Sequence, residues 1–213
     1  MKFDSFLKAI PKIKNLDLPG EEVQLKMAPI QRREELKAIT SNPKKPKKAA
    51  VLCLFYPDES NHSRFVLILR KTYKGVHSNQ VGFPGGKVEK DDIDLEYTAL
   101  RETEEEVGVP ADEVVVYKQC SSIYIPPSNF VVQPFIGMIH KTPFFVPQES
   151  EVEAILEVPL ADFLSEKSVI SKNLKTSYAS QIEVPAFLLN DQVVWGATAM
   201  MLSEIKQLLK EIL

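Results

Sequence analysis

Phe83-Pro84-Gly85-Gly86-Lys87-Val88-Glu89, an intervening acidic stretch, and then Ala99-Leu100-Arg101-Glu102-Thr103-Glu104-Glu105-Glu106-Val107-Gly108-Val109 carry the densest signal in this chain. At about 100° per residue, Leu95, Ala99, Thr103 and Val107 fall on one stripe that can pack on a sheet, with Glu102 and Glu106 one turn apart beside it. Glu105 lies next to them, and Glu104 points away. Three carboxylates, Glu102, Glu105 and Glu106, therefore crowd one edge of the packed face, which destabilises a helix unless a cation neutralises them. Oxygen donors with no Cys or His nearby suit Mg²⁺ or Mn²⁺ rather than zinc. Gly85-Gly86 lets the backbone turn tightly and approach a ligand or metal closely, Asp91 or Asp92 can cap the helix start, and Gly108 followed by Pro110 stops it. A solvated charged helix with ordinary caps is the plain alternative; the Gly-Gly and Arg-Glu neighbours weigh against it.

Outward from that stretch the pattern is one of strands with helices between them. Ala50 to Tyr56 and Arg64 to Leu69 flank the turn-rich Pro57 to Ser63 and predict a hairpin. A loop is expected over 74–86 and a helix over 92–107. Strands follow near Val114 to Cys120, Val131 to Ile139 and Val152 to Val158, then a last helix from Thr198 to Ile212. This order suggests a sheet with helices packed on it. Residues 1–48 are read as an N-terminal helical extension and linker, with an amphipathic helix (Phe3, Phe6, Leu7, Ile10), breakers at Pro11, Pro19-Gly20 and Pro29, and a polar helix around Arg32 to Ile39. The basic run Lys44-Lys45-Pro46-Lys47-Lys48 reads as a solvated linker, and residues 49–213 as the main domain.

Composition narrows the function by exclusion. With 26 Lys plus Arg against 29 Asp plus Glu, the chain lacks the basic excess that marks a nucleic-acid partner. Its longest apolar run, Ala49 to Tyr56, is far below the roughly 18 residues of a membrane-spanning helix. Asp4 and Lys8 interrupt the N-terminal hydrophobic stretch, so no signal peptide is read there and the cytoplasm is the expected location. Cys53 and Cys120 have neither metal nor disulfide spacing and are expected to be reduced. A small-molecule substrate is expected, with a monomer or homodimer as the assembly.

The helix stretch resembles the signature of the Nudix hydrolases, G-x5-E-x7-R-E-U-x-E-E-x-G-U with U aliphatic. Arg101 to Val109 fits its second half, with Thr103 at an aliphatic position. The first half departs: eight residues before Arg101 stands Ile93 instead of Glu, and Gly86 is one residue farther from Arg101 than the pattern has it. Asp92 and Asp94 flank the gap and are the candidates for the carboxylate that braces Arg101. This expansion, together with Phe-Pro-Gly-Gly, is similar to the coenzyme A pyrophosphatase branch. Leu67, Arg70 and Gln80-Val81 partly match that branch's upstream motif, while Gly75 and Asn79 stand where it has Arg and Gly. Glu149 to Leu160 and Val194 to Ala199 resemble its later segments.

The resemblance implies a Nudix-like α/β/α sandwich around a mixed β-sheet, with Mg²⁺ or Mn²⁺ as cofactor. It implies metal ligands among Glu102, Glu105, Glu106 and Gly86, catalytic roles for Arg101, Glu102, Glu105 and Glu151, and substrate contacts from Arg70, His77 and Phe83. The implied reaction is hydrolysis of the pyrophosphate bond of coenzyme A or an acyl-CoA. ADP-ribose, NADH or a nucleoside diphosphate sugar is the alternative substrate class, and a non-catalytic nucleotide-binding module the third reading. Elsewhere, the Tyr124 to Phe130 connection is read equally as a pocket wall or a plain loop, and Trp195 as a core residue.

Overall fold

The computed structural model describes residues 1–30, 33, 36, 38, 45–71, 80–174 and 182–213. Its centre is strand β1 (Lys47–Pro57), whose side chains are buried on both faces from Ala49 onward. Successive strand residues point to opposite faces. Ala49, Val51, Cys53 and Phe55 accordingly join one hydrophobic layer, and Ala50, Leu52, Leu54 and Tyr56 the other.

Around β1 lies an eight-stranded sheet. The expected hairpin pairs it with β2 (Ser63–Arg70), Phe55 opposite Phe65. At its other end β1 pairs with β4 (Gly85–Lys87), placing Gly86 opposite Ala50. Its second edge runs parallel to β7 (Phe130–Met138), whereas the other pairings in this sheet are antiparallel, so the sheet is mixed. The periphery consists of β3 (Val81–Gly82) and β8 (Val152–Pro159) on β2, and β5 (Val115–Gln119) and β6 (Ile123–Ile125) on β7.

Helices cover both faces. Helix α1 (Phe3–Ala9) and α2 (Gly20–Gln24) share one face with the long C-terminal helix, and the helix over Leu95–Val107, α3 here, takes the other. The short α4 (Leu160–Leu164) leads into a separate sheet of β9 (Val169–Leu174), β10 (Ile182–Leu189) and β11 (Gln192–Val194), and α5 (Gly196–Ile212) closes the chain. This is the expected α/β/α arrangement. No helix among the described residues is long and apolar enough to cross a membrane.

Several local expectations change. The stretch expected as a loop over 74–86 contains β3 and part of β4, because Phe83-Pro84 is anchored to β1 by Leu52 N–H donating to the Pro84 carbonyl at 2.9 Å. Part of that loop, 74–79, lies outside the described residues. Lys47 and Lys48 open β1 rather than belonging to a linker. Of the polar helix, Arg33, Leu36 and Ala38 are helical and the remainder lies outside the described residues. The β9–β11 sheet has no counterpart in the sequence reading.

The N-terminal helices are held to the body by more than apolar contact. Phe6 is fully buried with its ring centroid 5.0 Å from that of Phe55. Glu204 on α5, 0% exposed, accepts hydrogen bonds from Gly20 N–H (3.2 Å), Gln24 Nε2 (3.0 Å) and Ser121 N–H (3.2 Å). A buried carboxylate is tolerated where several N–H groups point at it.

Candidate active site

Helix α3 begins where Asp94 Oδ1 accepts the Tyr97 N–H at 2.7 Å, so the cap is Asp94 rather than Asp91 or Asp92. It ends at Gly108, whose φ of 76° is the left-handed conformation favoured by glycine. Ala99, Thr103 and Val107 are buried against the sheet as the stripe predicts. Thr103 replaces an aliphatic residue without leaving its hydroxyl orphaned, because Oγ1 donates to the Ala99 carbonyl at 2.7 Å.

Asp92 is released from capping to brace Arg101. Arg101 Nε and Nη2 reach its two oxygens at 2.8 and 3.1 Å, a bidentate fork on a carboxylate only 2% exposed. Asp92 also accepts from Glu89 N–H and Thr98 Oγ1, tying the loop after β4 to the helix. The remaining donor capacity of Arg101 goes to Glu102 (3.1 Å), Glu105 (3.1 Å) and the Lys87 carbonyl (3.3 Å). Of the two carboxylates flanking the gap in the signature, Asp92 is therefore the one that supplies the brace. The Arg101 fork draws the Asp92 carboxyl well below the usual carboxylate range.

The three glutamates expected along one edge separate. Glu105 is half-exposed and held by Arg101. Glu102 is mostly covered and faces β4, where a Cβ on Gly86 would overlap its carboxylate. Only glycine permits that approach. Glu106 is not at the edge but beneath β4, its side chain 1% exposed. Its Oε2 accepts the Gly85 N–H at 2.8 Å, while Oε1 lies 3.1 Å from Arg70 Nη1 without hydrogen-bond geometry.

Glu151 arrives from the segment before β8. That segment docks on the end of α3 through Val146 N–H to the Val107 carbonyl and Gln148 N–H to the Glu106 carbonyl, both 3.0 Å. The exposed Glu151 is close enough for its charge to act on both Glu102 and Glu106. Burial foremost, with repulsion from neighbouring carboxylates, raises the Glu102 carboxyl above its usual range, although Arg101 opposes the shift. Burial likewise pushes Glu106 up to about 7 against the pull of Arg70.

Among the described residues, no three acidic, His or Cys side chains already converge as an ion cage. The donors nevertheless fit a hard divalent cation. They are all oxygens, the buried Glu106 Oε1 lacks a hydrogen bond, and Gly86 leaves the Glu102 carboxylate open to its backbone.

On the opposite side of β4 lies a cavity of about 790 Å³, lined mainly by apolar groups. Met27 and Pro29 of the N-terminal segment, Tyr124 and Phe130, and Trp195 and Met201 form much of its wall. The Tyr124 to Phe130 connection is thus a pocket wall, and Trp195 is half-buried at the cavity rather than in the core. Arg70 and Phe83 line it too, although Phe83 is only 2% exposed and is chiefly a core residue. His77 lies outside the described residues. The ion pair of Arg70 with Glu106 was missed in the sequence reading, since nothing in the spacing of 36 residues between them pairs β2 with α3.

The family model described as NUDIX domain matches residues 46–176, more than half of the chain. Nudix hydrolase 15, mitochondrial, of Arabidopsis thaliana is 35% identical over 73% of this chain and 56% of its own length. The uncharacterized Nudix hydrolase NudL of Yersinia pestis is 32% identical over 67% of this chain and 70% of its own. The chain thus spans little more than half the length of the Arabidopsis relative. A MutT/nudix family protein from Enterococcus faecalis superposes with a TM-score of 0.54, covering 92% of this chain and 76% of that one at 17% identity. At that identity the likeness concerns the fold.

Proposed function

The chain belongs to the Nudix family, and on that premise we propose that it is a metal-dependent hydrolase of the pyrophosphate bond in coenzyme A or an acyl-CoA. The products are adenosine 3',5'-bisphosphate and 4'-phosphopantetheine or its acyl form. The observation that carries the reading is the cavity of about 790 Å³ on the far side of β4 from the carboxylates of α3. A diphosphate lying along Gly85–Lys87 would extend its uncharged arm into that space. The apolar walls, with Met27, Met200 and Met201 among them, suit a flexible chain better than a second sugar. A nucleoside diphosphate sugar would bury hydroxyls there at a cost.

Glu102, Glu106 and the Gly86 backbone are the proposed holders of Mg²⁺ or Mn²⁺, with Glu105 or Glu151 completing the set. When bound, the ion supplies Lewis-acid polarisation of the phosphate oxygens and acidifies a coordinated water. Glu102 is the proposed acceptor of the proton from the attacking water, and Glu151 is the second candidate for that base. Water adds to one phosphorus as the bridging P–O bond breaks, leaving a phosphate on each product. Arg101 keeps Glu102 and Glu105 aimed without touching substrate, because Asp92 already holds its fork.

A substrate panel with product identification tests this: coenzyme A, dephospho-coenzyme A, ADP-ribose, NADH and nucleoside diphosphate sugars under one metal and salt. A charge-assisted phosphate contact is worth roughly 1.5–3 kcal/mol, so dephospho-coenzyme A should be poorer in kcat/KM by about one to two orders of magnitude. Faster cleavage of ADP-ribose would move the assignment to a general nucleoside diphosphate hydrolase.

A further inference from the structure

Arg70 and Arg101 both touch carboxylates of α3, but they are held in different ways. Arg101 is pinned by the bidentate fork to Asp92 and has further acceptors in Glu102, Glu105 and the Lys87 carbonyl. Among the described residues, Arg70 meets one carboxylate, Glu106, at 3.1 Å without hydrogen-bond geometry, and one carbonyl, that of Gly85, at 2.7 Å. Its position is also irregular. The pairing of β2 with β8 shifts register between Leu69 and Arg70, and such bulges re-aim the side chain that follows. The Arg70 side chain is 23% exposed, and the residue lines the cavity as well as meeting Glu106.

A guanidinium and a divalent cation cannot share one buried carboxylate oxygen, because their mutual repulsion at that distance is large in a poorly solvated site. We propose that Arg70 is a displaceable internal counter-ion. It neutralises Glu106 in the metal-free protein, and when a divalent cation takes that carboxylate it swings into the cavity, where its fork grips the substrate's outer phosphate. Arginine suits the second role because its planar donors match phosphate oxygens two at a time. The exchange makes metal loading a precondition for holding the diphosphate. This inference rests on the metal-dependent reading above.

The chain has five arginines, so the side-chain Nε–H signals of ¹⁵N-labelled full-length protein can be separated. The Arg70 signal is assigned by its loss in Arg70→Lys. Mg²⁺ is then titrated with no nucleotide present, and the backbone N–H of Gly85, which donates to Glu106, reports occupancy of the site. The expected result is that the Gly85 and Arg70 signals move together with one binding curve while the Arg101 signal stays. In parallel, Arg70→Gln should bind Mn²⁺ about tenfold more tightly by electron paramagnetic resonance, measured above the Glu106 titration, because a competing cation is gone. If Gly85 shifts and Arg70 does not, or if Arg70→Gln weakens Mn²⁺, Arg70 is a fixed brace and the exchange is wrong while the metal reading stands. If neither signal moves at saturating Mg²⁺, the site takes no metal and both readings fall.

Discussion

Arg101 and Asp92 decide where Glu102 and Glu105 of α3 point. Replacing Arg101 by Lys keeps the charge but removes the planar fork that spans both Asp92 oxygens. With the fork lost, Glu102 and Glu105 are less firmly aimed and kcat should fall by about ten- to a hundredfold, and the thermal midpoint should also drop by several degrees, because charge-assisted bonds of roughly 1.5–3 kcal/mol each leave the folded state. Equal kcat in the Lys variant would remove the positioning role. The same pair makes stability depend on acid. The Arg101 fork depresses the Asp92 carboxyl in the folded state, so its contribution is complete above the unfolded value of about 4 and is lost as pH falls toward the depressed folded value. Asp92→Asn should therefore flatten the loss of stability below about pH 4 in denaturant titrations. An unchanged acid limb would show that the pair does not survive in solution. The spacing of the signature pointed to Asp92 or Asp94 for this role, and the choice between them followed from geometry, since Asp94 is spent as the helix cap.

At the scale of elements, α3 is a helix with both ends specified in its own sequence. Its C-terminal stop, Gly108, adopts φ of 76°, and a Cβ there would also lie 2.9 Å from Cβ of Val146. Gly108→Ala should cost about 1–2 kcal/mol in urea unfolding, from left-handed strain and from displacing the segment that carries Glu151. A change within about 0.5 kcal/mol would mean that the junction relaxes freely. Amphipathic periodicity identified this helix because its stripe and caps are local. The β9–β11 sheet escaped for the opposite reason: Val169 to Leu174 is largely exposed and has no clear apolar alternation, so its pairing with Ile182 to Leu189 is visible only across the fold. Short β3, β4 and β6 escaped because two or three residues hold no period.

Across the whole molecule, the two flanks of the region matched by the family meet at the cavity. Met27 and Pro29 come from before residue 46, and Trp195 and Met201 from after residue 176. Glu204 fastens one flank to the other through Gly20 and Gln24. Glu204→Leu would remove the acceptor of the partly buried N–H groups of Gly20 and Ser121 and one of the two bonds of the Gln24 amide, which keeps the Ser121 carbonyl, at roughly 1 kcal/mol for each bond lost. Limited trypsin digestion should then cut the N-terminal lysines, such as Lys14 and Lys26, severalfold faster than in the unaltered protein. An unchanged digestion rate would show that apolar packing around Phe6 alone retains this segment.

The sequence by itself determined the acid-rich helix, its register against a sheet, the hairpin of β1 and β2, and the family, because each depends on residues within a few turns or one pairing of each other. What only the tertiary structure decided is which carboxylate is buried. Glu102, Glu105 and Glu106 are neighbours in sequence along one edge of the helix, yet β4 descends on Glu106, Gly86 opens onto Glu102, and Glu105 is left to Arg101. Arg70 enters from β2 and Glu151 from the segment before β8, both distant in sequence, and the cavity is enclosed by chain ends that share no motif. Burial, and with it charge state and ligand reach, is set by which strand lies over a helix, and no local pattern encodes that.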